Sequence, residues 1–125
     1  MKLVQIAEYL QDNGLGVMGE NLFVNMMPVD CLSGILLRDP PTGAEIDYEL
    51  PGYFKSHFRL IVRATNYEQG RELIESAAAA LTISDTSIGD IYFRFMRPRT
   101  QPVAFPISPG NLMEFLIDMR VIYME

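Results

Sequence analysis

Residues 54–65 read FKSHFRLIVRAT, and the character of their side chains alternates along the whole stretch. Even-numbered positions include Phe54, Phe58 and Leu60, whereas odd-numbered positions include Lys55 and Arg59. Successive side chains of a β-strand point to opposite faces of the sheet. The pattern therefore predicts a long strand over 54–65, with one apolar face for the core of the protein.

An acidic segment precedes this strand. Glu45, Asp47 and Glu49 alternate with Ile46 and Tyr48, which predicts a second strand with an acidic face. A two-residue Pro-Gly turn would place these carboxylates on the face of the phenylalanines, so we expect a three-residue loop, 51–53, that joins the two apolar faces. The predicted cross-strand pairs are Glu49 with Lys55, Asp47 with His57 and Glu45 with Arg59.

Two helices are predicted by apolar residues at helical spacing. The first starts at Leu3 and ends at Asn13-Gly14, where glycine can adopt a left-handed conformation. The second covers 67–81, with Asn66 as N-cap and Gln69 completing a capping box. Further strands are predicted over 21–27, 34–38, 90–96 and 114–123.

This order of elements predicts the fold class. Helix, strands, helix and strands in turn favour a single α+β domain over 1–125, because helices and antiparallel strands are segregated along the chain. We expect a mostly antiparallel sheet of five to six strands, with the two helices packed on one face.

One segment, Pro98 to Asn111, has four prolines and no secondary-structure pattern. Connections of this length in a small domain are usually functional or disordered, and the apolar Val103 and Phe105 argue against plain disorder. Arg97 and Arg99 flank Pro98 and, with Arg94, form a local basic cluster. In an acidic chain the carboxylates of a partner subunit are the favoured target of such arginines, and a solvated loop end is the alternative.

The composition limits the classes of function. The chain has 125 residues, 49% of them hydrophobic, and a formal net charge of −6, which fits one globular domain and disfavours nonspecific binding of nucleic acid. It has a single cysteine, Cys31, so it forms no internal disulfide and suits a reducing compartment. No apolar run reaches the length of about 18 residues needed to span a bilayer, so we expect no membrane segment.

No set of residues predicts an enzyme. Gly14 to Gly19 matches the dinucleotide fingerprint G-x-G-x-x-G, but a helix precedes it and a strand follows, the reverse of the context that binds a cofactor. His57 is the only histidine, which leaves no base for nucleophilic catalysis beside Cys31 and too few ligands for zinc. Carboxylates two apart on a strand lie about 6 to 7 Å apart, too far for one cation. We therefore expect no catalytic residue, cofactor or metal.

Several segments resemble a known family. They are Gly34 to Arg38, Asp47 to Tyr53, Arg97-Pro98-Arg99 and Pro102 to Asn111. Together with the length and the order of elements, they resemble the small minor capsid or tail terminator (tail completion) proteins of long-tailed bacteriophages. The resemblance covers essentially the whole chain.

The resemblance implies a structural virion protein. It implies a hexameric ring at the head-proximal end of the tail, assembled in the host cytoplasm, that caps the tail tube, stops its polymerisation and joins it to the head connector. DNA would pass through the ring without specific binding. We expect an acidic channel lining from Glu45, Asp47 and Glu49, which competes with their pairing to Lys55 and Arg59. The expected subunit-interface residues are Arg97, Arg99, Val103, Phe105 and Pro106.

Two other functions stay open at this point. One is a head–tail connector or stopper ring, which would also be a small acidic ring protein. The other is a cytoplasmic regulatory domain that binds a metabolite through the glycine-rich stretch 14–19. The state of assembly distinguishes them, because the regulatory domain requires no ring.

Overall fold

The computed structural model describes residues 1–40, 43–46, 49–107 and 112–125. The described part of the chain contains two helices and eight strands, joined by turns and loops. The helices are α1 (Leu3–Asp12) and α2 (Tyr67–Leu81). The strands are β1 (Leu22–Val24), β2 (Gly34–Arg38), β3 (Glu45–Ile46), β4 (Tyr53–Ala64), β5 (Ile83–Ile88), β6 (Ile91–Pro98), β7 (Val103–Ile107) and β8 (Leu112–Met124).

The eight strands form one open sheet around two long central strands. Its order is β1-β2-β4-β8-β6-β5, with β3 beside β4 and β7 beside β8. Thus β2 and β3 follow one another along β4, and β6 and β7 follow one another along β8. The strand pairs are antiparallel except β1 with β2, which is parallel. The predicted α+β class is confirmed, whereas the predicted count of five to six strands is wrong.

The core lies on the apolar face of β4 and β8. Phe58, Leu60 and Val62 of β4 are buried and lie opposite Met119, Ile117 and Phe115 of β8. Buried residues of both helices, among them Ile6 and Ile74, belong to the same cluster. We call this side of the sheet the core face and the other side the open face. That both helices pack on one face stays a prediction, as does the single domain.

Helix α2 begins as predicted. The Asn66 side-chain oxygen accepts a hydrogen bond of 2.9 Å from the Gln69 backbone N–H, which satisfies a donor that has no partner within the helix. Helix α1 also has its predicted extent, and none of the described helices is long and apolar enough to cross a bilayer.

Removal of this cap gives a first test. Asn66→Ala is expected to lower the free energy of unfolding by about 1 kcal/mol, because it leaves the Gln69 N–H without its acceptor. Urea denaturation measures the change, and Asn66→Ser, which keeps an acceptor oxygen, is the control. Equal stability of the alanine and serine variants would contradict the capping role.

The predicted register of the acidic hairpin is wrong. Glu45 lies opposite Lys55 and Ile46 opposite Phe54, so Glu45 does not pair with Arg59 and Glu49 does not pair with Lys55. The register is shifted by four residues, and β3 is only two residues long. Asp47, which the sequence paired with His57, lies outside the described residues. The two strands are therefore joined by a longer connection than the three-residue loop.

The segment 98–111 also differs from the prediction. Within it Val103–Ile107 form strand β7, which pairs with Leu112–Leu116 of β8. The segment is therefore not an unpatterned loop, because its middle extends the sheet. Strand β5 follows α2 directly and was not predicted, since its sequence ISDTSI lacks an alternating apolar pattern.

Candidate interaction surface

The open face of the sheet carries most of the positive charge of the chain. The register places Lys55, His57 and Arg59 of β4 on the same face as Arg120 and Asp118 of β8. The chain has ten Lys and Arg residues. The register places six of them on this face, namely Arg38, Lys55, Arg59, Arg63, Arg97 and Arg120. A chain of net charge −6 thus presents one predominantly basic surface.

Part of this surface forms a pocket of about 310 Å³. We call it the cationic pocket. Its lining residues are Glu45, Lys55, Ser56, His57, Arg99 and Arg120. Strands β4, β8 and β6 bring His57, Arg120 and Arg97 side by side in one cross-strand row. The backbone N–H of Arg99 donates a 2.7 Å hydrogen bond to the carbonyl oxygen of Asp118, which fixes the chain at the end of β6.

The basic groups of the cationic pocket have no ion-pair partners within the described parts of the chain. Neither Lys55, Arg99 nor Arg120 lies within 4.0 Å of a described carboxylate oxygen, although Glu45 lines the same pocket. The Arg97 guanidinium lies over the Phe95 ring, with its central carbon 4.2 Å from the ring centroid. This cation–π contact leaves the edges of the guanidinium available for hydrogen bonds.

At the other end of the open face the arginines are paired. Arg59 lies 3.5 Å from Asp118, and Arg63 lies 3.4 Å from Glu114. Arg63 also donates hydrogen bonds of 3.0 and 3.1 Å to the carbonyl oxygens of Pro28 and Cys31. It therefore ties the connection between β1 and β2, residues 25–33, to the sheet.

This connection, which we call the 25–33 loop, exposes apolar side chains. Met26 is 82% exposed and Val29 is 92% exposed, while Leu32 is 56% exposed. Asn25 begins the loop with a φ of 66° and exchanges two 2.9 Å hydrogen bonds with Asp39. An anchored loop that displays apolar side chains is typical of a contact surface.

A second open pocket, of about 580 Å³, lies where β4 begins and β8 ends. Tyr53, Tyr92 and Met124 line it together with Arg94. The Tyr92 hydroxyl donates a 2.7 Å hydrogen bond to Asp85, which raises the pKa of the tyrosine because the carboxylate stabilises the protonated phenol. Arg94 lies 3.6 Å from the same carboxylate, so its charge is already paired.

The structure brings some of the predicted site residues together and separates others. Glu45, predicted for the channel, lines the cationic pocket with Arg99, predicted for the subunit interface. Glu49 lies in the connection before β4, and Asp47 is outside the described residues. Val103 is 54% exposed on β7, whereas the side chains of Phe105 and Pro106 are outside the described part of the structure.

Arg120 is the residue of this surface that sequence reasoning missed. It lies 21 residues beyond Arg99, so no local cluster marks it. The signal was present in β8, where Asp118 and Arg120 occupy the positions between the apolar Ile117, Met119 and Val121. That alternation assigns Arg120 to the open face, but only the register places it beside Arg97.

The structure shows the local contacts of the glycine-rich stretch 14–19 and of Cys31. The glycines of 14–19 follow α1 and precede β1, and Gly14 and Gly19 have φ values of 78° and 87°. They turn the chain, and no helix begins there to hold a pyrophosphate. The Cys31 thiol donates to the Ser33 carbonyl oxygen at 3.4 Å. The described residues include no group of three or more His, Cys, Asp or Glu placed to hold a metal ion.

The described part of the chain is thus an α+β fold with a basic open face and an exposed apolar loop, features typical of a protein that contacts other proteins. Comparison with protein families matches residues 9–125 to the family described as Bacteriophage tail terminator protein. The match covers most of the chain, so the protein belongs to the bacteriophage tail terminator family and is a structural protein of the virion tail. The resemblance found in the sequence is thereby confirmed.

A solved structure supports the fold. One chain of the virion of a native gene transfer agent (GTA) particle superposes with a TM-score of 0.66 at 14% sequence identity. The match covers 98% of this chain and 95% of that chain. Comparison with curated protein sequences gives no significant match. The fold is thus shared over its whole length with a component of a phage-like particle.

Proposed function

We propose that the protein forms a hexameric ring at the head-proximal end of the tail. The ring caps the tail tube, stops its polymerisation and joins the tail to the head connector around the DNA channel. Membership of the tail terminator family over residues 9–125 is the observation that carries this proposal. The virion is its place of action, and assembly takes place in the host cytoplasm.

The segment after β6 is the proposed subunit interface. Arg97 and Arg99 are exposed, and Val103 is more than half exposed on a strand that has a neighbour on only one side in the described sheet. A closed ring needs heterologous contacts, in which one patch meets a different patch of the next copy. Phe105 and Pro106 complete the proposed contact.

The acidic residues before β4 are the proposed channel lining. Glu45 is exposed, and Asp47 and Glu49 follow it in the sequence. Six copies of a chain with a formal net charge of −6 carry about −36, which repels a passing polyanion and keeps DNA from binding to the wall.

Electron microscopy of the purified protein, alone and after mixing with purified tail tubes, tests the proposal. We expect six-fold rings, and tubes that end in one ring and no longer extend when tube protein is added. Rings that bind head connectors but not tubes would instead indicate a connector or stopper. A protein that stays monomeric with and without tubes would contradict the proposal.

A further inference from the structure

The strongest unexplained feature is the set of unpaired basic groups around the cationic pocket. Lys55, Arg99 and Arg120 are exposed and have no ion-pair partner in the described chain, and Arg97 has only its contact with the Phe95 ring. Like charges held side by side on a rigid sheet repel each other. A ligand with several negative charges at matching spacing would relieve that repulsion.

The same chain presents such a ligand on α2. Glu68, Glu72 and Glu75 are exposed along the outer side of this helix, where they line a shallow depression of about 470 Å³. Glu75 lies 3.0 Å from Arg71, whereas Glu68 and Glu72 have no ion-pair partner among the described residues. We call these three glutamates the acidic row.

The spacing of the acidic row is close to that of the cross-strand row formed by Arg97, Arg120 and His57. Neighbouring strands lie about 4.8 Å apart, so the cross-strand row of Arg97, Arg120 and His57 repeats at about that distance. In a helix with a rise of about 1.5 Å per residue, the steps of the acidic row are about 6 and 4.5 Å along the axis. Carboxylates of a helix laid across the strands can therefore reach Arg97 and Arg120 together, with the His57 side chain beside them.

The two surfaces lie on opposite sides of the subunit. Helix α2 packs on the core face, where Gly70 abuts the Phe115 ring and Tyr67 lies 5.5 Å from it, so the acidic row points away from the sheet. The cationic pocket lies on the open face. One copy cannot join its own two surfaces, but successive copies can, which is the heterologous contact that a ring requires.

Carboxylates suit the pocket better than the phosphates of DNA. The pocket is small for a duplex, whose phosphates continue well beyond a surface of this size. Arginine guanidinium groups bind carboxylates with paired hydrogen bonds, and the chain supplies an excess of carboxylates, with 16 acidic against 10 basic residues. The basic groups of the cationic pocket are thus complementary in charge to the acidic row on α2 of another copy.

We propose that the cationic pocket, together with Arg97, binds the acidic row on α2 of a neighbouring copy. The occupant is a second copy of this chain, and the contact is the ionic part of the subunit interface. The inference rests on the proposed function in one respect, namely that copies assemble into a closed ring. It adds α2, Lys55 and Arg120 to that interface.

Charge exchange between the two surfaces tests the proposal. The pocket variant carries Arg99→Glu and Arg120→Glu, and the row variant carries Glu68→Lys and Glu72→Lys. Each alone is expected to weaken self-association roughly 100-fold or more, because like charges then face each other. Native mass spectrometry and analytical ultracentrifugation measure the assembly state. All four positions are exposed, so thermal unfolding should stay close to that of the parent chain.

Mixing the two variants gives the sharper result. The glutamates of one variant then face the lysines of the other, and the unchanged surfaces also match, so rings with alternating copies should form. A control variant, Lys2→Glu, changes the net charge by the same amount as Arg120→Glu alone but at an exposed position away from the cationic pocket, and should assemble normally where Arg120→Glu alone does not.

Two results would overturn the inference. One is a pocket variant that still forms rings like the parent chain, which leaves the proposed ring standing. The other is a parent ring that binds duplex DNA and loses that binding, but not its assembly, in the pocket variant, because phosphate would then be the occupant. A parent chain that never self-associates would overturn the proposed function and this inference together.

Discussion

Gly70→Leu is expected to lower the free energy of unfolding by about 3 kcal/mol, because α2 packs directly on the core at this residue. A Cβ atom at Gly70 would overlap Phe115 Cε1 and lie 2.7 and 2.9 Å from Cδ1 and Cζ of the same ring. Phe115 is 1% exposed and belongs to the core cluster, so the ring cannot move into solvent. The helix would have to shift away from β8.

Two further variants make this test specific. Gly70→Ala should also destabilise the protein, although alanine normally favours a helix over glycine by about 1 kcal/mol. The double variant Gly70→Ala with Phe115→Leu should lose less free energy of unfolding than the two single variants together. The reason is that removing the Phe115 ring removes the overlap with the new Cβ atom. Ser76→Leu, on the exposed side of the same helix, is the control and should change stability by less than about 0.5 kcal/mol. Urea denaturation in which Gly70→Leu equals the parent chain would contradict the close packing.

Arg63→Met is expected to lower the free energy of unfolding by about 3 kcal/mol and to free the 25–33 loop. Arg63 donates to the carbonyl oxygens of Pro28 and Cys31 and pairs with Glu114, and its side chain is only 15% exposed. Methionine keeps much of the apolar stem but leaves all three acceptors without their donor. The loop should then be cleaved by protease far faster than in the parent chain.

The control for Arg63 is an arginine whose ion pair is on the surface. Arg71→Met removes a pair with Glu75 in which both side chains are about half exposed, and should leave the free energy of unfolding close to that of the parent chain. Arg63→Lys should give an intermediate result, because one ammonium cannot reproduce the planar set of donors. If protease cleavage within 25–33 were equally slow in Arg63→Met and Arg71→Met, the anchoring role of Arg63 would be excluded.

The elements with a strong local pattern could be predicted from sequence. Strand β4 alternates over its length, and α2 combines an apolar stripe with the Asn66 cap, so both were predicted nearly to the residue. The acidic hairpin shows the limit of this reasoning. A shift of four residues is even, so the same faces meet in the predicted and the observed register, and alternation cannot distinguish them.

The candidate surface could be predicted only in part, because it depends on register between distant strands. Arg97 and Arg99 stand out locally, but Lys55 and Arg120 join them only through the pairing of β4, β8 and β6. Strands β5 and β7 were missed for a different reason. The first is polar and lies at an edge of the sheet, and the second contains Pro106, so neither has the apolar alternation that indicates a strand.

The two central strands, β4 and β8, pair with each other more continuously than with the strands on their outer sides. We therefore expect different parts of the sheet to differ in how readily they open. The ladder between β4 and β8 runs without a break over twelve residue pairs, whereas each outer side is interrupted, between β2 and β3 and between β6 and β7. Amide hydrogens of the central ladder should therefore exchange last, and each flank should open on its own. Exchange of this kind would identify the two flanks, and not the central ladder, as the parts of the sheet that open most readily.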